Sequence, residues 1–208
     1  MIFLGGGGSE SDESQLWDSL FVPGQRVVVW PYAMPPADRA AVVSWFRDAL
    51  APRGTFTVTD SLPGADVLVI PGGNTYDLLA AVRSRLPALS AFLQAGGHVY
   101  GGSAGAILLG ADIDIAGILD PNDIGLTDTT GADLLAGHVV YPHYTPDQET
   151  TAAEWAAGHN VNVLAIPETS GVIVDGVEAR NAGPATVHVF TPGAHLTYES
   201  GVSWRLTT

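Results

Sequence analysis

Residues 99–110 read VYGGSAGAILLG: a short apolar run, one serine flanked by glycines, then a run with helical character. That order is strand, tight turn, helix, the unit from which parallel sheets covered by helices are built. Gly101, Ser103 and Gly105 stand in the G-x-S-x-G spacing of a nucleophile elbow. In such an elbow small neighbours let the backbone turn sharply and lift the hydroxyl above the sheet. The free N–H groups of the following helix point at the same spot, where they stabilise an oxyanion. Taken alone, the pentapeptide also fits a glycine turn that binds an anion or nothing.

The flanking sequence repeats the same alternation. Short apolar segments at 1–4, 26–30, 55–59, 66–70, 97–100, 138–141 and 162–166 are spaced by segments of helical period at 36–50, 75–95 and 147–157. In 36–50, Val42, Trp45, Phe46 and Ala49 fall at i, i+3, i+4 and i+7, an amphipathic pattern. Beyond about residue 170 the pieces GVIVDG, ATVHVF, AHLTYES and VSWRL read as antiparallel strands or hairpins completing the sheet. These signs predict one α/β domain over 1–208, with a mostly parallel sheet flanked by helices and antiparallel strands near the C-terminus.

The chain has 208 residues, 46% of them hydrophobic and 14% charged, which suits a globular domain with its own core. It holds no cysteine, so disulfides, thiolate catalysis and cysteine-ligated metals are excluded. With 22 acidic and 8 basic residues the net charge is −14, and every basic residue is arginine. Nucleic acid and anionic membranes are repelled by such a surface. The N-terminal MIFLGGGGSESDESQLW has neither the basic flank nor the apolar length of an export or anchoring segment, so a cytoplasmic location is expected. Oligomeric state is left open, a homodimer being compatible.

A second glycine turn lies in VLVIPGGNTYDLL, residues 67–79. Two such turns at the carboxyl ends of parallel strands surround one crevice, where open α/β sheets bind ligands. The N–H groups of Gly73 and Ala104 are candidates for an oxyanion hole, and Asn74 and Thr75 for substrate contacts, although one of the latter pair also suits the N-cap of the next helix. Of the histidines, His98 lies inside a strand, His188 and His195 lie in the late β segments, His159 ends a helix, and His138 precedes the run that His143 follows. His143 comes straight after that strand and Pro142, on the rim expected for Ser103. It is the best general base.

The pieces LGGGG, PGGNT, GGSAGA, YPHYT and IPE (166–168), in this order, resemble the peptidase E (aspartyl dipeptidase) and cyanophycinase family of serine peptidases. The resemblance spans most of residues 1–175. It implies a flavodoxin-like sheet and a Ser–His–Glu triad that maps onto Ser103, His143 and Glu168. Asp112, Asp114, Asp120 and Asp123 also lie between the serine and the histidine, and Asp120 stays the alternative acid. Position favours Glu168, because it follows a strand whereas the aspartates sit in an irregular loop. The aspartates lack the spacing of a calcium loop, and no zinc motif is present, so neither metal nor cofactor is expected.

The chemistry that follows is hydrolysis of short peptides through an acyl-enzyme. In the aspartyl dipeptidases the resemblance places a substrate-selecting arginine just after the catalytic histidine. Here that segment reads TPDQETTAAEWAAGHN, and no arginine or lysine occurs between Arg85 and Arg180. A strict preference for Asp-X is therefore not expected. Two readings of other classes stand beside it: an α/β-type esterase, which would need His188 or His195 as its late histidine, and a noncatalytic module that binds a small anion.

Overall fold

The computed structural model describes residues 1–59 and 61–207. The first half runs β1 (Ile2–Gly5), α1 (Ser14–Leu20), β2 (Arg26–Val29), α2 (Arg39–Leu50), β3 (Thr57–Thr59), β4 (Val67–Ile70), α3 (Thr75–Val82), α4 (Leu86–Gln94) and β5 (His98–Gly102). The second runs α5 (Ala104–Leu109), β6 (Val139–Pro142), α6 (Glu149–His159), β7 (Val163–Ile166), β8 (Gly171–Asp175), β9 (Glu178–Asn181), β10 (Val187–Thr191), β11 (Ala194–Tyr198) and β12 (Ser203–Arg205). Among the described residues, no helix is long and apolar enough to cross a membrane.

The large sheet has the order β12-β9-β8-β1-β5-β4-β2-β3. From β1 to β3 its neighbours pair in parallel, and β8, β9 and β12 extend it antiparallel. Both faces are buried, and the strand alternation shows it. Ile2, Leu4, Val28, Leu68, Ile70 and Val99 enter one core with α3 and α5, while Phe3, Val27, Val29, Val67, Val69 and Tyr100 enter the other with α1 and α2.

One feature departs from the sequence expectation of a single sheet. The strands expected at 138–141 and 162–166 form β6 and β7 of a second sheet, ordered β11-β10-β7-β6. Helix α5 explains the division. All six of its residues, AGAILL, are buried, and a helix apolar all round needs cover on every side. The large sheet covers one side and β6 covers another. The helix expected over 75–95 is also interrupted: α3 ends at Val82, a single 3-10 turn spans Arg83–Arg85, and α4 resumes at Leu86. Pro87 is the cause, since it has no N–H to continue the ladder.

Helix α5 runs so close to β4 that a Cβ on Gly105 would sit 1.9 Å from the carbonyl oxygen of Ile70. Gly158, in the last turn of α6, has open space instead. Gly105→Ala is therefore expected to cost about 2–3 kcal/mol or to block folding, by overpacking. Gly158→Ala is expected to add about 0.5–1 kcal/mol, the helix propensity difference. Urea unfolding of both variants checks the opposed signs; a stable Gly105→Ala protein would contradict the packing described.

Candidate active site

The parallel registers bring several strand ends to one level. Gly5 of β1 pairs with Gly102 of β5, and Ile70 of β4 with Gly101, so the turns after all three strands share one rim. Ser103, the first residue beyond β5, has φ 50° and ψ −111°. Positive φ costs a non-glycine residue on the order of 1–2 kcal/mol, a strain of the kind that collects at functional sites. In the second sheet Pro142 pairs with Ile166, which places His143 and Glu168 just beyond the ends of neighbouring strands. The His143 N–H donates to Gly6 O at 2.8 Å and so ties the two rims together.

Ser103 Oγ lies 2.8 Å from His143 Nε2, and His143 Nδ1 lies 2.8 Å from Glu168 Oε1. An ionised carboxylate only accepts, so Nδ1 carries the hydrogen and Nε2 is left to accept from the serine hydroxyl. The site is open to solvent, with the His143 and Glu168 side chains 32% and 58% exposed. The glycine turn after β1 lies under the imidazole: a Cβ on Gly7 would fall 2.3 Å from His143 Cε1. On the other side, a Cβ on Gly72 would approach Ser103 Cβ to 3.1 Å, so the PGGN turn abuts the serine.

A family model described as "Peptidase family S51" matches residues 2–182. The chain belongs to this family. Among curated proteins it is similar to peptidase E of Pasteurella multocida, 30% identical over 146 residues, a match covering 64% of this chain and 60% of that protein. It is also similar to peptidase E of Citrobacter koseri, 27% identical over 157 residues, covering 67% and 66%. The matched stretch is thus less than two thirds of either relative. In fold, it resembles a putative peptidase E protein from Listeria monocytogenes (TM-score 0.69, 20% identity, covering 88% of this chain and 98% of that one). A peptidase from an acI-B1 Actinobacterium is similar as well (TM-score 0.65, 16% identity, covering 98% and 96%).

Other residues singled out from the sequence of this S51 chain take different positions. Asp120 Oδ2 accepts from Thr75 N and Oγ1, at 2.9 and 2.6 Å, and makes its contacts there rather than at His143. Asn74 caps α3 through Asp77 N and donates to Pro121 O, while Thr75 is fully buried. Through these bonds the two residues hold the aspartate loop to the start of α3. Gly73, with φ 133°, lies against Ala33 O, and Ala104 opens α5. His188 and His195 contact each other at 2.8 Å, His138 Nδ1 bonds Leu135 O, and His159 Nδ1 bonds Trp155 O. Arg39 lies over Tyr32 and donates to Met34 O, and Arg180 is on β9, on the far side of β8 and β1 from β5.

One residue escaped the sequence reading. Glu13, 2% exposed, precedes α1 in a stretch whose acids look solvent-facing. Its carboxylate accepts from Gly7 N (2.9 Å), Trp17 Nε1 (3.3 Å) and Tyr100 OH (2.7 Å). Burial raises its pKa above the usual carboxylate value, against the opposing pull of these hydrogen bonds. A signal was present: Leu16, Trp17 and Leu20 make a short apolar face, and Glu13 stands four residues before the tryptophan. Glu13→Ala would strand two buried donors, on Trp17 and Tyr100, and the part-buried N–H of Gly7, and so loosen the glycine turn that supports His143. The expected loss is on the order of 3 kcal/mol in chemical denaturation; a change under about 1 kcal/mol would show that water replaces the carboxylate.

Proposed function

We propose that the protein is a serine peptidase that hydrolyses short peptides, with Ser103 as nucleophile, His143 as general base and acid, and Glu168 as the group that orients it. The observation that carries this reading is the continuous contact chain from Ser103 Oγ through His143 to Glu168, each link 2.8 Å. Membership of family S51 and the likeness to two peptidase E proteins support it.

His143 Nε2 accepts the hydroxyl proton as Ser103 Oγ bonds to the amide carbon. The negative charge that develops on the carbonyl oxygen is met by the N–H groups of Gly73 and Ala104; the latter opens α5 and has no partner within the helix. The imidazolium, steadied by the Glu168 carboxylate, returns the proton to the leaving amine as the C–N bond breaks. Water then attacks the ester, His143 takes its proton, and the acid product departs with Ser103 restored. No residue in this sequence of steps calls for a metal or a cofactor. Preference for an acidic N-terminal residue is not part of the reading, because Arg39 is engaged with Tyr32 and Met34, Arg180 lies on β9 beyond β8 and β1, and the segment after His143 holds no arginine or lysine.

Ser103→Ala is expected to lower kcat for the best dipeptide by about 10⁶. Glu168→Gln should cost about 10³, and Asp120→Asn less than about tenfold, with circular dichroism confirming each fold. Ser103→Ala turnover within tenfold of wild type would remove the nucleophile assignment. A crippled Asp120→Asn beside a normal Glu168→Gln would move the acid.

A further inference from the structure

A cavity of about 200 Å³ opens beside Ser103, which forms part of its wall together with Gly7 and Gly72. The rest of its lining is strongly apolar. Trp17 of α1, Val42, Trp45 and Phe46 of α2, Pro71 and Tyr100 all contribute. The aromatic wall is a packed unit: Trp17 stacks on Phe46 with centroids 5.7 Å apart, and Trp45 meets Phe46 edge-on at 4.8 Å. A dry apolar cavity of roughly 150 Å³ suffices to hold a benzene ring, so the space suits one aromatic side chain. Among the described residues, no arginine or histidine lines it.

Behind this wall lies the buried Glu13 carboxylate, bonded to the ring N–H of Trp17 and the hydroxyl of Tyr100, two of the lining residues. An acidic side chain entering the cavity would lose its hydration, find no cation in the lining and approach a second carboxylate; Arg53, whose guanidinium lies over the Trp17 ring, is paired with Asp18. A large apolar side chain would lose nothing polar and gain aromatic contacts. Trp45, 45% exposed although it belongs to this wall, is the member that a bound group would cover further.

We infer that this cavity is the specificity pocket of the site and takes a large apolar side chain, aromatic above all, from a residue flanking the scissile amide. The inference deepens the peptidase reading and rests on it for Ser103 as the reacting group. It is tested by binding rather than by turnover, so that the two can fail separately.

Calorimetric titration of the Ser103→Ala protein with Phe-Ala, Ala-Phe, Ala-Ala and Asp-Ala measures the pocket directly. One of the two phenylalanine peptides should bind at least about 10-fold more tightly than Ala-Ala and Asp-Ala, the discrimination expected of an apolar pocket. Adding Trp45→Ala should erase that advantage, and adding Trp45→Phe should keep most of it. Equal affinities within threefold, tightest binding of Asp-Ala, an advantage that survives Trp45→Ala, or no binding of any peptide would each overturn the inference. Hydrolysis of the same peptides by the unmodified protein decides the other question. Selective binding without hydrolysis would leave the pocket standing and remove the peptidase reading. Hydrolysis without selective binding would do the reverse.

Discussion

Helix α5 has no exposed side, and the rest of the site depends on that constraint. Its six residues are all buried, so it must be enclosed, and it is enclosed between the large sheet and β6. The enclosure draws two separate sheets together at their carboxyl ends. Ser103 comes from one of them, His143 and Glu168 from the other. Close approach of α5 to β4 then requires glycine at position 105, and the sharp entry into the helix requires a positive φ at Ser103.

The second sheet is tied to the first by a few polar contacts of high leverage. His143 donates its backbone N–H to Gly6, and the glycine turn containing Gly6 is in turn held by Glu13 through Gly7. A buried carboxylate is costly unless its hydrogen bonds are met, and here three donors meet it. The same carboxylate stiffens the aromatic wall by bonding Trp17 and Tyr100. One buried acid thus couples the support of His143 to the cavity beside Ser103.

Much of this was legible in the sequence because local pattern and tertiary environment agree. The apolar runs before Ser103, Gly72 and His143 became strands, and the registers place their ends together, as a parallel sheet demands. What escaped was set by long-range packing. Periodicity gives no means of assigning β6 and β7 to a second sheet, since an apolar run reads alike in either. Helix α1 is only Ser14–Leu20, too short for its period to stand out among the neighbouring acids, and Glu13 went unnoticed with it. Asn74 and Thr75 were legible as a helix start, but their engagement with Pro121 and Asp120 depends on a loop 45 residues or more away. Val42, Trp45, Phe46 and Ala49 were legible as the apolar stripe of an amphipathic helix, but not that the first three also line a cavity.

In the proposed mechanism Ser103, and no other hydroxyl, is made nucleophilic by His143. Intact-protein mass spectrometry after brief exposure to a fluorophosphonate, followed by peptide mapping, tests it without any assumption about substrate. One adduct per chain is expected, on Ser103, formed at least about 100-fold more slowly when His143 is replaced by alanine. Labelling at a different residue, or labelling of Ser103 at an undiminished rate in the His143→Ala protein, would contradict it.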